Sequence, residues 1–491
     1  MNLSAQNIYD YYVPDECEKR LYLRFKGEKE AEPDPFQEIL RDIGRQKEKE
    51  YLATLGPCMD LSALPLEERI PKTKKLIAAK AQLIYQGALR ITNNDGNTVT
   101  GIPDFLILSG DNYVIRDTKM ARKVDEKEKE HVEIILQMQL YGYLYEKTLG
   151  VPPTGLEVVL GTGEIMPIVY DGGAAIRPIM GNILRIVSKP EVPYSPVGWS
   201  RCIGCGYRPL CWDPAVAEKN VATVTDVDKG TATGLHVDGV DTVDQLLTKY
   251  DEKKLSLMER PWGQGFQKVG KKAEKIIRNA KVIKSGRHLW LEKLMLPVSD
   301  NYVMFDLEGM PPYLDEIESI YLWGMKIFGK KPSSYLRAVA DISDDGDRLG
   351  WEEFLSLSKK IFDDYGDLPF VHYSPYEKTK LDLYIKRYGD KDGIAEKVRN
   401  NLFDLLPAVK KSVTLAAPSY SLKVIEQLAG FKRSQDEYGG SWSMAQYIKA
   451  VESRDVSERD KLIKTILVYN EEDLMATWNV IRWLEEMSGK E

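Results

Sequence analysis

The sequence predicts a multidomain α/β protein. Three observations carry this. At 491 residues the chain is long enough for roughly two to four domains, each with its own core. Strand-like apolar runs alternate with helical spacings in both halves. A polar stretch from Ala215 to Asp238 separates those halves and leads into a short basic segment, which marks a boundary and a small module.

Composition bounds the function classes. The chain is 43% hydrophobic and 29% charged, with a net charge of −7. That balance argues against a general nucleic-acid coat but leaves a local basic groove open. The opening stretch MNLSAQNIYDYYVPDE has no basic-then-apolar leader, and no apolar run reaches about 18 residues. The expectation is a cytoplasmic protein with neither secretion signal nor membrane span, a compartment that disfavours disulfides.

Taken in order, the first clear element is a helix from Pro35 to Leu55, with Phe36, Ile39, Leu40, Ile43, Tyr51, Leu52 and Leu55 at helical spacing. Glu48 falls on that apolar face. It is either a partly exposed helix glutamate or a carboxylate that is paired or metal-bound. Next comes GIPDFLILSGDNYVIRDTK, residues 101–119, which reads as a β-hairpin. Phe105 to Leu108 is one strand, Ser109 to Asn112 is turn chemistry, and Tyr113 to Thr118 is the return strand. Pairing these strands brings Asp104 against Asp117. Side-chain alternation puts Asp117 and Lys119 on the face of Tyr113 and Ile115. Two acids and a lysine on an apolar face suit a bound divalent cation, because hard cations take carboxylate oxygens.

A helix from about Glu128 to Thr148 follows, with Gln137 and Tyr141 one turn apart. Leu156 to Tyr170 reads as strand, turn, strand, and Ala174 to Val187 as helix. Then WSRCIGCGYRPLCWD crowds Cys202, Cys205 and Cys211 into one C-x2-C-x5-C stretch, a strong metal or cluster pattern. The basic run from Lys268 to Lys293 puts lysines at helical spacing, flanked by Trp262, Phe266 and Trp290. It is either a solvated face or a phosphate-tracking surface.

From Asn301 an α/β pattern begins again. Tyr302 to Leu307, Ile317 to Gly329, Leu368 to His372 and Ser412 to Leu415 are strand-like, and helices Asp460 to Leu467 and Glu471 to Met487 close the chain. Asp306 and Glu308 lie on one face of the first strand. Tyr469 and Asp473 lie one helical turn apart. Glu377 follows His372 by five residues, in Ser374-Pro375-Tyr376-Glu377. That tetrapeptide also fits a helix capping box. Asp306, Glu308, Glu377 and Asp473 would suit two divalent cations about 4 Å apart across a scissile phosphate, with Tyr469 orienting water. The alternative is solvated acids at strand and helix ends. Asp404 is a further candidate at lower rank.

On these residues the first 215 or so positions resemble a RecB-family nuclease of the PD-(D/E)XK superfamily. Asp104 matches the Asp of its GxxDF strand, Asp117-Thr118-Lys119 its (D/E)xK strand, and Gln137 with Tyr141 its QxxxY helix. The resemblance implies that Glu48, Asp104 and Asp117 hold Mg²⁺ or Mn²⁺, that Lys119 positions the attacking water, and that Gln137 and Tyr141 steady the site. Cys17 before the nuclease core and Cys202, Cys205 and Cys211 after it are similar to the ligand set of the iron–sulfur members, which implies a structural [4Fe–4S] cluster. Four thiolates equally suit Zn²⁺. Cys58 is left over.

Residues 295–491 resemble a DEDD exonuclease of the RNase H-like fold, in the subtype with Tyr in its last motif. Asp306 and Glu308 match DxE, and Tyr469 with Asp473 matches Yx3D. Glu377 stands where the family has Asp. The resemblance implies three parts: a restriction-endonuclease-like PD-(D/E)XK core over 1–215, a helical, helix–hairpin–helix-like basic module over 216–294, and an RNase H-like domain over 295–491. The implied function is a Mg²⁺- or Mn²⁺-dependent nuclease acting on nucleic acid, DNA favoured over RNA, single-stranded or end-containing, with a second 3′–5′ exonuclease-like site. The alternatives are an inactive nucleic-acid-binding scaffold and a ribonuclease. No membrane partner is implied, and the sequence names no helicase, repair or CRISPR-type partner.

Overall fold

The structure, a computed structural model, describes residues 1–13, 16–32, 35–93, 96–121, 131–310, 318–340, 345–390, 392–435 and 439–488. Apart from short exchanged segments, the chain divides into two compact units, residues 1–195 and 196–491. Among the described residues no helix is long and apolar enough to cross a membrane.

The first unit is built on a six-stranded mixed sheet. Its elements in chain order are helices α1 (Glu18–Phe25) and α2 (Pro35–Leu55), strands β1 (Met59–Asp60), β2 (Leu83–Tyr85), β3 (Phe105–Ser109) and β4 (Asn112–Thr118), helix α3 (Val132–Leu149), strands β5 (Gly155–Val159) and β6 (Ile165–Ile168), and helix α4 (Ile176–Val187). The strands lie in the order β1-β2-β3-β4-β5-β6. Strands β3 and β4 form the expected hairpin, with Phe105 opposite Arg116 and Ser109 opposite Asn112. Gly110 supplies the positive φ, +65°, that this tight turn needs. Strand β4 then runs parallel to β5, a pairing that requires the long crossover supplied by α3. Burial alternates along β4 with Tyr113, Ile115 and Asp117 inward. The core joins Leu106, Ile115, Leu156 and Val158 to Met138, Leu140, Tyr141 and Leu144 of α3. The start of the helix predicted from Glu128 lies outside the described residues up to 130.

After the short helices Trp199–Cys202 and Arg208–Ala217, the second unit has a small helical module: α5 (Lys229–Val237), α6 (Val243–Lys249), α7 (Glu252–Leu257), the hairpin β7 (Glu259–Trp262) and β8 (Gly265–Lys268), and α8 (Lys272–Ser285). Val221, Leu235, Val243, Leu246, Leu255, Ile276 and Ile277 form its core. The sheet that follows holds β9 (Asn301–Gly309), β10 (Ile320–Gly329), β11 (Leu336–Val339), β12 (Phe370–His372) and β13 (Leu402–Asp404), in the order β11-β10-β9-β12-β13. Strand β10 runs antiparallel to both β9 and β11, and β12 and β13 run parallel to β9. Around it are α9 (Gly346–Tyr365), α10 (Tyr376–Tyr388), α11 (Leu422–Leu428) and α12 (Val456–Ser488).

Alternation along β9 sorts its side chains. Val303, Phe305 and Leu307 enter a core with Trp323, Trp351, Phe354 and Phe370. Burying one such side chain stabilises by about 1.5–3 kcal/mol. Met304 points the other way, into a cluster with Leu474, Val480 and Ile481 of α12. Asp306 and Glu308 share the parity of Met304, so they face α12.

Two expectations are corrected here. The two closing helices are one 33-residue helix, α12, because 468–470 contains neither Gly nor Pro to break it. The strand expected at Ser412 to Leu415 does not join the sheet. Only Val413–Thr414 is extended, and it pairs with Leu289–Trp290. The edge is taken by Leu402–Asp404 instead.

Candidate functional site

Two acidic centres emerge, one in each unit. In the first, register places Asp104 just before β3 and across from Asp117 near the end of β4. The Asp104 amide donates to Asp117 Oδ1 at 3.1 Å, and the amide and hydroxyl of Thr118 both donate to Asp104 Oδ2 at 2.7 Å. Lys119 Nζ lies 2.6 Å from Asp117 Oδ2. Glu48 arrives from α2. Its Oε1 accepts from Tyr85 Oη at 2.8 Å and from Gln86 Nε2 at 2.6 Å. The same Gln86 amide reaches Asp104 Oδ1 at 3.0 Å, so one side chain ties Glu48 to Asp104. Gln86 does this from a left-handed backbone, φ +56°, a conformation that costs energy outside Gly.

The electrostatics follow from crowding. Burial, then the neighbouring Asp117, hold the Asp104 carboxyl well above its ordinary range. Burial opposes the charge on Lys119, but Asp117 and Asp104 outweigh it and raise its pKa. Gln137 donates to Tyr141 Oη at 2.7 Å, and burial followed by Asp117 raises the Tyr141 phenol. The structure thus brings Glu48, Asp104, Asp117 and Lys119 together, with the Gln137–Tyr141 pair behind them.

In the second unit, Asp306 and Glu308 on β9 meet Asp473 on α12. Carboxylate oxygens of these three all lie within 4.8 Å of one another, the one such His, Cys, Asp or Glu set among the described residues. Burial, then Asp473, push Glu308 up to about 8. The same two causes, with Glu308 and Glu377 behind them, raise Asp306. Such a set fits a divalent cation, which removes the repulsion that otherwise forces protons onto it.

The surroundings of this set were not legible in the sequence. Asn470 donates to Asp306 Oδ2 at 2.7 Å and accepts from Tyr335 Oη at 2.7 Å. Gly324 on β10 makes room for it, since a Cβ there would stand 1.7 Å from Asn470 Oδ1. Asp473 Oδ1 takes Lys423 Nζ at 2.6 Å and also the Arg433 guanidinium. Arg433 is buried and pairs with buried Glu426 at 2.7 Å as well. Tyr469 is buried beside Asp473, with Lys423 Nζ 4.5 Å from its ring centroid.

Glu377 is buried on the first turn of α10, but its carboxylate lies against His372 Nδ1 at 3.1 Å, outside the three-acid set. The capping-box alternative is also not what forms. Pro375 occupies the cap position with no side-chain cap bond, and Ser374 is left-handed at φ +145°. Asp404 caps the helix Leu405–Ser412 by accepting from the Leu406 amide at 3.0 Å.

The cysteines sit on helix ends and turns. Cys17 in the first unit caps α1, its sulfur accepting from the Arg20 amide at 3.4 Å. In the second unit, Cys202 ends the helix Trp199–Cys202 and Cys211 lies in Arg208–Ala217, with Cys205 in the turn between. All four are half-buried.

A search of curated proteins returns no match. Among solved structures, a candidate exonuclease from Eubacterium rectale aligns over 38% of this chain and 81% of its own, at 13% identity and a TM-score of 0.24. Residues 303–485 match the RNase_H_2 model of the RNase H superfamily, and residues 65–212 match the PD-(D/E)XK nuclease superfamily model. The chain therefore carries a domain of the PD-(D/E)XK nuclease superfamily followed by an RNase H-like domain.

Proposed function

We propose that the protein is a metal-dependent nuclease of the RecB-like branch, in the cytoplasm, that hydrolyses phosphodiester bonds in single-stranded or end-containing DNA. The observation that carries this is the first acidic centre: Asp104 across from Asp117, Glu48 tied to Asp104 through Gln86, and Lys119 on Asp117. Carboxylates this close, one of them buried, are costly unless a cation accompanies them. Glu48, Asp104 and Asp117 would hold Mg²⁺ or Mn²⁺, which when bound activates water and offsets charge on the phosphate. Lys119 would hold the attacking water through its ammonium. Gln137 and Tyr141 would fix the helix behind it.

The second centre is a 3′–5′ exonuclease-like site in this reading. Asp306, Glu308 and Asp473 would be the metal ligands, and Tyr469 would orient water. Glu377 would join only by leaving His372. One feature favours a second reading for this domain alone, binding without cleavage: Lys423 and Arg433 already neutralise Asp473. The chain is proposed to divide into three parts, 1–215, 216–294 and 295–491.

The test is cleavage of end-labelled single-stranded DNA and RNA by purified protein with Mg²⁺ or Mn²⁺. Asp117→Ala and Asp306→Ala separate the two centres. Unchanged cleavage by the double variant would overturn the assignment, and a preference for RNA would favour a ribonuclease. Cys17, Cys202, Cys205 and Cys211 are proposed to ligate a [4Fe–4S] cluster, with Zn²⁺ as the alternative. The support is the C-x2-C-x5-C spacing and the resemblance. A brown protein with broad visible absorbance is expected, and a colourless, zinc-loaded anaerobic preparation would sink the cluster.

A further inference from the structure

The helical module displays an aromatic hairpin that neither acidic centre explains. Strands β7 and β8 are joined by the two-residue loop Gly263–Gln264, with Trp262 paired to Gly265 and Pro261 to Phe266. Trp262 is 58% exposed and Phe266 76% exposed. Exposed aromatic rings on a fixed scaffold mark a contact surface.

The scaffold is fixed from beneath. Arg260 is 3% exposed. Its guanidinium pairs with Asp228 at 3.1 Å, bonds Gln267 across the hairpin at 3.1 Å, and stacks under Trp262 at 4.5 Å from the ring centroid. Asp228 is also the N-cap of α5, accepting from the Thr231 amide at 2.9 Å. Helix α5 presses on the strand through glycine: a Cβ on Gly230 would stand 2.2 Å from the Pro261 carbonyl oxygen. The hairpin is therefore held rigidly, and the tryptophan is propped by a buried cation.

Cross-strand parity puts Trp262 on one face and Phe266 on the other. The Phe266 face borders a cavity of about 430 Å³. Its walls are apolar and aromatic, including Val237, Tyr250, Leu257, Met258 and Phe266, and its charged groups are Asp238, Glu259 and Lys254. Two carboxylates against one ammonium disfavour a phosphate inside. Apolar walls with oxygen acceptors suit the flat face and amino edge of a nucleobase. Positive charge lies next to the hairpin instead. Lys268 shares the Phe266 face, and exposed Lys271, Lys272 and Lys275 follow directly at the start of α8.

We propose that the β7–β8 hairpin is a binding element for single-stranded nucleic acid. Phe266 and its cavity receive an unpaired base, Trp262 stacks a second base on the opposite face, and the lysines after the hairpin hold the backbone phosphates. The assignment takes from the nuclease reading only the polymer that the chain handles.

The test is anisotropy of labelled oligonucleotides with the full-length protein in EDTA, so that no cleavage enters. Three probes are compared: a single strand, a duplex of equal length, and a single strand of abasic residues. Phe266→Ala and Trp262→Ala should each weaken single-strand binding about ten-fold, while duplex and abasic binding change less than about two-fold. Phe266→Tyr and Trp262→Phe should restore binding, which separates lost stacking from lost folding. Lys271→Ala should weaken all three probes and flatten the salt dependence. Wild-type affinity in both alanine variants, or an equal loss on all three probes, overturns the proposal. A wild-type protein that binds single strands this way yet cleaves nothing with Mg²⁺ would sink the nuclease reading and leave this one standing.

Discussion

Glu308 offers a measurable consequence of crowding two acids of β9 against a third on α12. It is 6% exposed, and burial followed by Asp473 raises it from an ordinary 4.5 to about 8. Between those values the folded protein keeps a proton that the unfolded chain has released. Without metal, stability is therefore full below pH 4.5 and falls as pH rises towards 8. At about 1.36 kcal/mol per pH unit, the full span amounts to on the order of 5 kcal/mol. That figure is an upper bound, because Glu308 titrates together with its raised neighbour Asp306. Glu308→Gln keeps the shape and the acceptor for Tyr321 Oη but cannot ionise. The assay is urea unfolding in EDTA across pH 5–8, followed by tryptophan fluorescence, since Trp323 and Trp351 are buried in the same unit. Wild type should lose stability with rising pH, and Glu308→Gln should lose less and be the more stable protein at pH 8. Adding Mg²⁺ at pH 8 should recover the wild type, by about 2.7 kcal/mol at a hundred times the dissociation constant, and leave the variant little changed. Equal pH slopes for the two proteins would refute the reasoning.

Other perturbations probe the surroundings of each centre. Arg433→Met leaves Glu426 and Asp473 buried without their shared cation; chemical denaturation should show a loss of about 3–5 kcal/mol, partly recovered by adding Glu426→Gln, and a loss below about 1 kcal/mol would contradict the buried pairing. Gln86→Ala removes the amide joining Glu48 to Asp104; in an Asp306→Ala background, apparent Mg²⁺ affinity in a cleavage assay should drop about 10–100-fold with little change in melting. Gly324→Ala drives a methyl into Asn470; the unfolding free energy should fall by about 1–3 kcal/mol, and a neutral result would mean that Asn470 is not held where the sheet places it.

What the sequence revealed follows from how local each signal is. The hairpin of Asp104 and Asp117 was legible because turn chemistry at Ser109 to Asn112 sets the register, and register alone brings the two acids together. Helix α2 was legible from its spacing, with Glu48 on the right face. Gln86 was not, because its role depends on a left-handed backbone that a Tyr-Gln-Gly sequence does not announce. Tyr469 and Asn470 are weak helix formers, so local preference favours a break in the closing helix. Packing of α12 on β9 and β10 overrides that local preference. The role of Asn470 was hidden for a related reason: its partners Asp306 and Tyr335 lie 164 and 135 residues away.

The same distinction separates the two acidic centres physically. In the first, the counter-cation is Lys119, two residues along the strand from Asp117, so any strand that places the acid also places the lysine on the same face. In the second, Lys423 and Arg433 reach Asp473 from 50 and 40 residues upstream. Their presence depends on α11 and the segment after it being folded against α12. The first centre carries its own neutralising charge at no topological cost. The second is neutralised only when the tertiary structure is complete, and by two cations rather than one. In the proposed reading a divalent ion would meet an Asp473 whose Oδ1 is already paired with both cations, whereas at the first centre Lys119 is paired with Asp117. Metal binding at the second centre, as proposed, would be tied to the position of 423–433. The first centre draws Asp104, Asp117 and Lys119 from a single hairpin, and Glu48 alone joins them from α2.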